Sequence, residues 1–365
     1  MIAIAAGGTG GHLFPAEALA AELSARGERI ALFTDARSAA FDSPAFAQAE
    51  RFVLQGGGVA GRSALRAAQG LAQLGQGTMV ARGLLRRLGA RAVVGFGGYP
   101  AIPPAIAALT LRSTRPVLVI HEQNAVLGRA NRLLAPRADA LALTYAETAK
   151  VPGGAKPHVV GNPVRPALAA LAGHGYEAPR EGAIRLLVTG GSLGARVFAD
   201  TVPAAIAALP ESLRHRLIVT QQCRAEDLER VRAAYAGTGI PVELSPFFSD
   251  MPRRLATAHL VVARAGASTL AELACAGRPA LLVPLPSAID DHQAANARAL
   301  AEAGAARVLP QTEMDAGALS SLLSTWLLAP ERLAEAARAA SSLARPQAAR
   351  DLADLVLALL RRKAS

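Results

Sequence analysis

The sequence predicts an α/β fold made of two halves, each a doubly wound parallel sheet of the Rossmann-like kind. An apolar strand at residues 2–6 is followed by a glycine-rich loop at 7–11 and then by a helix. The same order of strand, glycine loop and helix returns at residues 184–209. Nucleotide-binding βαβ units use this order to bring backbone close to a phosphate. We therefore expect two α/β halves that face each other across a cleft.

Length and composition are consistent with this architecture. The 365 residues suffice for two domains of ordinary size. Hydrophobic residues make up 52% of the chain, but many are alanine, and no long uninterrupted apolar window occurs, so no transmembrane helix is expected. The first residues, MIAIAAGG, are interpreted as a strand and not as a signal peptide. Cys223 and Cys275 lack metal-type spacing, so no disulfide is expected and a reducing cytoplasm fits.

The chain is basic, with a formal net charge of +11. Such a charge is typical of proteins that bind nucleic acid, an anionic membrane or an anionic substrate. Aromatic residues make up only 4% and are not interleaved with the basic ones, which disfavours single-stranded nucleic acid. A coding bias toward alanine, arginine and glycine is the alternative explanation for part of the excess.

The first glycine loop ends at His12, at the start of the predicted helix. Its spacing is not GxGxxG, but four glycines around Thr9 let the backbone approach a bulky anion. His12 could act on whatever the loop holds, or it could simply bond the loop backbone. Asp35 follows the second predicted strand, at residues 29–34. It could bind a ribose, as in a dehydrogenase, or cap the strand end.

Residues 62–91 are basic and amphipathic, with six arginines and no acidic residue. Leucines and a methionine recur there at roughly helical spacing. Such a surface attracts an anionic leaflet, at about 1 kcal/mol per nearby cation. The alternative is a helix whose leucines are core and whose arginines form a solvated face.

Polar side chains follow two further strands of the first half. The strand at residues 92–96 leads into Gly97, Gly98 and Tyr99, and the strand at 116–120 leads into the run HEQN at 121–124. Parallel strands end at one edge of the sheet, so these residues suggest a binding surface. A hydrogen-bonded structural cluster is the alternative. The run GNPVR at 161–165 has the turn chemistry of a domain junction.

In the second half, the segment 264–293 predicts a nucleotide-diphosphate pocket. Gly266 precedes a helix whose N-terminus offers free N–H groups and partial positive charge to a phosphate. Glu272 lies one turn from Ser268 and Thr269, so all three could face one ligand, with Glu272 accepting hydrogen bonds from ribose hydroxyls. The alternative is an ordinary capped core helix.

Taken together, these motifs resemble the MurG family of glycosyltransferases (family 28). They occur in family order and spacing over nearly the whole chain. The matching segments are GGTGGH at 7–12, GFGGYPAIPP at 95–104, HEQNAVLGRANRLLA at 121–135, GNPVR at 161–165, GGSLGA at 190–195, FFSDM at 247–251 and RAGASTLAELACAGRPALLVPLPSAIDDHQAANA at 264–297.

The resemblance implies a GT-B fold of two Rossmann-like domains with the active site in the cleft. The expected boundaries are residues 1–163 for an acceptor- and membrane-facing domain and 164–340 for a UDP-sugar domain. Residues 341–365 are expected to form a helix that packs back toward the first domain. The implied activity is inverting transfer of N-acetylglucosamine from UDP-N-acetylglucosamine to undecaprenyl-diphospho-N-acetylmuramyl-pentapeptide (lipid I), which gives lipid II for peptidoglycan synthesis.

Site residues follow from the resemblance by position. His12 is the candidate catalytic base. The implied donor-binding residues are Thr9, Gly10, Gly11, Asn124, Arg165, Ser192, Phe248, Ala267, Ser268, Thr269, Leu270, Ala271, Glu272, His292 and Gln293. The implied acceptor-side residues are Gly98, Tyr99, His121 and Glu122, and the implied membrane face consists of Arg62, Arg66, Leu71, Leu74, Met79, Arg82, Leu85 and Arg86.

Partners and location follow from the same resemblance. The expected partners are UDP-N-acetylglucosamine as co-substrate, the polyprenyl-diphosphate acceptor, an anionic membrane surface and other cell-wall synthesis proteins, but not nucleic acid. The location expected is peripheral, on the cytoplasmic face of the inner membrane. No cofactor is expected, and because the chain has no D-x-D motif, no metal is expected on the diphosphate.

Three other functions stay open on the sequence alone. One is a different GT-B enzyme, either another lipid-directed glycosyltransferase or a UDP-sugar epimerase. A dinucleotide oxidoreductase would explain the glycines at 7–11 together with Asp35, but the absence of GxGxxG argues against it. A basic scaffold for membranes or nucleic acid would leave the polar strand ends unexplained.

Overall fold

The computed structural model describes residues 1–54, 64–112, 115–191 and 194–364, and for residues 64–68 it describes the backbone alone. The chain divides into two compact units. Unit 1 comprises Met1–Arg165 together with Gln347–Ser365, and unit 2 comprises Pro166–Pro346. Within the described residues, no helix combines the length and apolarity needed to span a bilayer.

Each unit is built on one parallel sheet. The strands of unit 1 are β1 (Ile2–Ala5), β2 (Ile30–Thr34), β3 (Glu50–Val53), β4 (Ala92–Gly95), β5 (Val117–Glu122), β6 (Ala140–Leu143) and β7 (Pro157–Val159). Those of unit 2 are β8 (Ile184–Thr189), β9 (Leu217–Gln222), β10 (Val242–Ser245), β11 (Leu260–Ala263), β12 (Ala280–Leu282) and β13 (Ala306–Val308). The spatial orders are β3-β2-β1-β4-β5-β6-β7 and β10-β9-β8-β11-β12-β13.

Helices cover both faces of each sheet. Unit 1 contains α1 (Gly10–Ala25), α2 (Ala64–Arg87), α3 (Gly98–Thr110) and α4 (Arg129–Leu134). Unit 2 contains α5 (Pro166–Ala169), α6 (Arg196–Ala207), α7 (Glu211–Arg214), α8 (Leu228–Tyr235), α9 (Met251–Thr257), α10 (Ala267–Ala276), α11 (His292–Glu302), α12 (Ala316–Leu327) and α13 (Pro330–Ser342). The last helix, α14 (Ala348–Ala364), belongs to unit 1.

The strand orders are those of doubly wound sheets, so the predicted fold class of two Rossmann-like halves is confirmed. The central strands are buried at every residue because both faces are covered, which explains their continuous apolar sequences. In each sheet the order reverses beside the first strand: β1 pairs with β2 and β4, and β8 pairs with β9 and β11. Such reversal points are where these sheets bind ligands.

The two faces of the unit 1 sheet have separate cores. On one face, α1 packs against α14, whose Leu352 and Val356 are fully buried together with Leu19 and Leu23. On the other face, α2 and α3 pack together over a second core that includes Leu85. Burying a leucine or valine side chain stabilises the fold by about 1.5–3 kcal/mol. The final helix is therefore an integral part of unit 1.

Candidate active site

The first glycine loop follows β1 and requires glycine at two positions. A Cβ at Gly7 would lie 3.0 Å from both Asp35 Oδ1 and Pro100 Cγ. Gly8 has φ of +88°, and its N–H donates to Ser38 Oγ at 2.9 Å. Glycine is therefore what lets the loop pass this close to its neighbours. Thr9 and Gly11 after it are exposed at the start of α1.

Asp35 holds this loop in place by accepting a hydrogen bond from the backbone of Gly8. Its Oδ1 accepts hydrogen bonds from Ser38 N at 3.1 Å and Gly8 N at 3.3 Å, and its Oδ2 accepts two from Arg37. Burial raises the pKa of Asp35, but the hydrogen bonds from Ser38 and Arg37 outweigh it, so the pKa lies below its usual value. The strand-end cap, and not a dinucleotide ribose, explains this carboxylate.

His12 lies in the first turn of α1, half-buried against the glycine turn that opens α3. A Cβ at Gly98 would lie 3.4 Å from His12 Nε2, and one at Gly97 would lie 3.6 Å from its Cε1. Both glycines have positive φ, so the backbone approaches the imidazole where a larger residue would be strained. The end of β1 and the end of β4 therefore meet at His12.

The His12 ring is the last member of a hydrogen-bonded chain that reaches into the sheet. Its Nδ1 lies 3.1 Å from Gln123 Oε1, and Gln123 Nε2 lies 2.9 Å from His121 Nδ1. His121 Nε2 donates to the Gly161 carbonyl at 2.9 Å. His121 is fully buried, and burial lowers its pKa to about 4. The sequence placed Gln123 in the polar run 121–124 but gave it no role of its own, since a polar run does not show which way each side chain points.

Glu122 is also buried, and its carboxylate is turned to its own loop. Oε1 accepts from the backbone N and side-chain Nδ2 of Asn124 at 3.0 and 2.9 Å. Oε2 accepts from Gly128 N at 2.8 Å and Asn131 Nδ2 at 2.9 Å. Two of these four bonds hold Asn124, which is half-buried, and the other two hold Gly128 and Asn131. Any effect of Glu122 on the acceptor side would therefore act through this loop.

Two more predicted residues of unit 1 lie at this edge of the sheet. Tyr99, in the first turn of α3, is 39% exposed. Arg165 is half-buried, and its guanidinium carbon lies 4.4 Å from the centre of the Phe14 ring on α1. This cation–π contact holds the Arg165 side chain next to α1, the helix that begins with the glycine loop and His12.

In unit 2, the second glycine loop follows β8. A Cβ at Gly190 would lie 2.3 Å from Ala195 N, so no other residue fits there. Gln222 at the end of β9 holds the loop through Nε2, which donates to the carbonyls of Gly191 and Pro246 at 3.0 Å each. Its Oε1 accepts from Thr189 Oγ1 at 2.8 Å. Ser192, predicted to hold phosphate, lies outside the described residues.

The helix α10 begins beside this loop because β11 pairs with β8. Ser268, Thr269, Ala271 and Glu272 are half-buried in its first two turns, whereas Ala267 and Leu270 are buried. Donor contacts of those two would be restricted to their backbone. Gly277 ends the helix with φ of +62°. The N-terminus of α10 thus offers N–H groups, two hydroxyls and a carboxylate at the reversal point of the sheet.

The helix α11, which follows the loop after β12, begins with His292 and Gln293. Gln293 Oε1 accepts from Leu285 N at 3.0 Å, and His292 Nδ1 donates to the Ile289 carbonyl at 2.8 Å. Both side chains are half-buried. Phe248 is 5% exposed, and the Arg254 guanidinium carbon lies 4.0 Å from its ring centre.

Arg264 is a site-edge residue that the sequence did not reveal. Its Nη1 donates to the carbonyls of Val283 and Pro284 at 3.0 and 3.2 Å, and its Nη2 donates to Gln311 Oε1 at 2.6 Å. Burial lowers the pKa of Arg264. This guanidinium connects the segment before α10 to the residues that follow β12, and an arginine after an apolar strand gives no such indication in sequence.

The structure leaves several residues of the predicted membrane face on α2 exposed but buries one of them. Leu71 is 59% exposed and Met79 is 77% exposed, and Arg82 and Arg86 are exposed as well. Leu74 is half-buried. Leu85 is 1% exposed in the core under α3, so its assignment to the exposed face is wrong. Arg62 and the side chain of Arg66 lie outside the described residues.

Comparison with known proteins identifies the family. Residues 2–143 match the N-terminal domain and residues 185–355 the C-terminal domain of glycosyltransferase family 28. A relative from Granulibacter bethesdensis, named UDP-N-acetylglucosamine–N-acetylmuramyl-(pentapeptide) pyrophosphoryl-undecaprenol N-acetylglucosamine transferase, is 57% identical over 97% of this chain and 92% of its own. A relative of the same name from Acidiphilium cryptum is 54% identical over 98% of this chain and 96% of its own.

A solved structure agrees with the sequence matches. The crystal structure of Acinetobacter baumannii MurG superposes with a TM-score of 0.77 at 30% identity, covering 98% of each chain. The crystal structure of a Listeria monocytogenes protein, described as a putative UDP-N-acetylglucosamine 2-epimerase, is 16% identical with a TM-score of 0.68, which is a likeness of fold alone. On the family models and on relatives more than half identical over nearly its whole length, the chain belongs to glycosyltransferase family 28.

Proposed function

We propose that the chain transfers N-acetylglucosamine from UDP-N-acetylglucosamine to the lipid I acceptor, giving lipid II for peptidoglycan synthesis. The observation that supports this most is the set of relatives named for that transfer, two of which are 57% and 54% identical over 97% and 98% of the chain. The geometry of each unit is compatible with it, since each carries a glycine loop and a helix N-terminus at the reversal point of its sheet.

The donor would be held mainly by unit 2. The half-buried carboxylate of Glu272 is suited to accept hydrogen bonds from the two ribose hydroxyls. The amide groups at the N-terminus of α10, with the hydroxyls of Ser268 and Thr269, are suited to the diphosphate. Gln293 and His292 would address the sugar hydroxyls, and the backbone of Phe248 would lie by the uracil.

Catalysis would be a single displacement. The acceptor hydroxyl oxygen attacks the anomeric carbon from the face opposite UDP, while the bond from that carbon to the diphosphate oxygen breaks. The hydroxyl proton passes to Nε2 of His12, and UDP leaves with the bonding electron pair. Configuration at the anomeric carbon is therefore inverted. A positioned general base contributes about 10²–10⁴-fold to such a step.

The departing diphosphate needs stabilisation of its negative charge. In this proposal, loop amides, the α10 N-terminus and the Arg165 guanidinium supply it, with no metal ion and no cofactor. The contact between the Arg165 guanidinium and the Phe14 ring would hold this cation in position. Thr9, Gly10, Gly11 and Asn124 are the other groups of unit 1 that would approach the donor.

Membrane association would be peripheral, on the cytoplasmic face of the inner membrane. The exposed side chains of Leu71 and Met79 with the arginines Arg82 and Arg86 of α2 fit an interfacial helix that faces anionic lipid. This location brings the enzyme to a lipid-linked acceptor.

The test is transfer of labelled N-acetylglucosamine from its UDP ester to a lipid I analogue, with diacylglycerol as the competing acceptor. We expect transfer to the lipid I analogue and none to diacylglycerol, and we expect the rate of transfer to be the same with and without a chelator. Transfer to diacylglycerol, or release of an epimerised sugar without transfer, would contradict the proposed acceptor. Loss of transfer on chelation, restored by a divalent cation, would contradict the metal-independent mechanism.

A further inference from the structure

Gln123 lies between two histidines and uses both polar atoms of its side chain. Its Oε1 lies 3.1 Å from Nδ1 of His12, and its Nε2 lies 2.9 Å from Nδ1 of His121. Gln123 is 2% exposed and His121 is fully buried, so bulk water does not compete for the bond between them, and the bond to His12 is part-buried. The chain ends at the carbonyl oxygen of Gly161, 2.9 Å from Nε2 of His121.

The direction of every bond in this chain follows from that carbonyl. A carbonyl oxygen only accepts, so Nε2 of His121 carries a hydrogen and donates it. Because burial lowers the pKa of His121 to about 4, its ring is neutral near pH 7, and its Nδ1 carries a lone pair. Gln123 must therefore turn its amide nitrogen to His121 and its oxygen to His12.

The same logic then fixes the proton on His12. The Gln123 oxygen accepts and cannot donate, so Nδ1 of His12 must carry a hydrogen. In the neutral ring, the lone pair is then on Nε2. This nitrogen faces the turn that opens α3, where a Cβ at Gly98 would lie 3.4 Å away. Because residue 98 is a glycine, it adds no side chain next to the basic nitrogen.

We propose that Gln123 and His121 are positioning residues that hold His12 as the Nδ1–H tautomer and so make Nε2 the nitrogen that takes the acceptor proton. The proton-accepting role of His12 rests on the proposed function, but the tautomer does not. An amide oxygen orients the ring and supports the imidazolium that forms, without adding a negative charge. The titratable neighbours of the buried histidine are Glu122, which raises its pKa, and His12, which lowers it.

The direct test reads the tautomer by NMR. Uniformly ¹⁵N-labelled protein is recorded near pH 7.5 with long-range ¹H–¹⁵N correlations, and the His12 signals are assigned from their loss in His12→Ala. We expect Nδ1 of His12 to be protonated and Nε2 to be the pyridine-type nitrogen. In Gln123→Met we expect the Nε2–H form to appear. A wild-type ring protonated on Nε2, or no change in Gln123→Met, would overturn the inference.

Kinetics supply a second readout that a purely structural role would not move. Gln123→Met should lower kcat by about tenfold to a hundredfold with little change in KM for the UDP-sugar, since a part of the about 10²–10⁴-fold effect of a general base is lost. Gln123→Glu places a carboxylate against both rings, and an adjacent negative charge favours the imidazolium by about one pKa unit or more. The acid limb of the kcat–pH profile should therefore move upward. An unmoved limb in Gln123→Glu would contradict the assignment.

A matched control exists in unit 2. Gln221 is also fully buried and hydrogen-bonded, to Tyr235 Oη and the Phe198 carbonyl, so Gln221→Met carries the same change of chemistry and size. It should leave the His12 tautomer and the acid limb unchanged, and a shift in either would overturn the inference.

If His12→Ala keeps full turnover while the expected tautomer is found, the positioning is supported and the base role fails. If His12→Ala is inactive but Nε2 is protonated, the positioning fails and the proposed function stands.

Discussion

Acidification should destabilise unit 1 through His121. This side chain is fully buried, and its pKa falls from 6.5 to about 4 on folding. Between these values the unfolded chain binds a proton that the folded chain does not, so stability falls as the pH is lowered through this window and levels off below it. At about 1.4 kcal/mol per pKa unit, the shift amounts to about 3 kcal/mol. That is a large part of the stability of an ordinary domain, about 5–15 kcal/mol.

The assay compares wild type with His121→Gln, which keeps polar groups but removes the titration. Urea unfolding is followed at pH 7, 5.5 and 4.5 by hydrogen exchange of unit 1 peptides. Fluorescence is not used, because the only tryptophan, Trp326, lies in the core of unit 2. The variant should be less stable at pH 7, and the difference should shrink by about 2–3 kcal/mol by pH 4.5. Parallel pH dependences of the two proteins would refute the reasoning.

Four further outcomes are expected. His12→Ala should lower kcat by about 10²–10⁴-fold with little change in UDP-sugar affinity, and unchanged turnover would remove it as the base. Glu272→Ala should weaken UDP binding by about tenfold to a hundredfold in calorimetry, since hydrogen bonds to a charged group contribute about 1.5–3 kcal/mol, and equal affinity would exclude the ribose contact. Met79→Asp should weaken binding to anionic vesicles without lowering Tm, because the side chain is 77% exposed, and unaltered vesicle binding would exclude this face. Gly190→Ala should destabilise unit 2 by about 1–3 kcal/mol in thermal unfolding, because its Cβ would lie 2.3 Å from Ala195 N, and an unshifted Tm would contradict that packing.

The fold was predictable because its signals are local. Apolar runs such as residues 2–5 and 260–263 are buried on both faces, so their composition alone indicates central parallel strands. Glycine loops mark the strand ends where backbone must pass close to its neighbours, as the space around Gly190 illustrates. The prediction failed for Leu85, because helical spacing places leucines on one stripe without telling which side of it another helix covers.

Site residues that act by orienting others were not predictable in the same way. Gln123 and Gln222 each connect two segments far apart in sequence, and their importance depends on partners that only the folded chain brings near. Arg264 is similar, since it lies at the end of an apolar strand and bonds carbonyls about twenty residues later. Asp35 had two open interpretations, and the direction of its hydrogen bonds decided between them.

The placement of α14 in unit 1 has a consequence for synthesis on the ribosome. Leu352, Ala353 and Val356 complete a core whose other buried members all lie between Ile2 and Val160, and Arg26, just after α1, pairs with Asp354. The chain between them, Pro166–Pro346, holds every strand and helix of unit 2. Unit 2 can therefore form its core while one face of the unit 1 sheet is not yet covered by α14. The nascent amino-terminal half therefore exposes that apolar face until α14 has been synthesised and has left the ribosome.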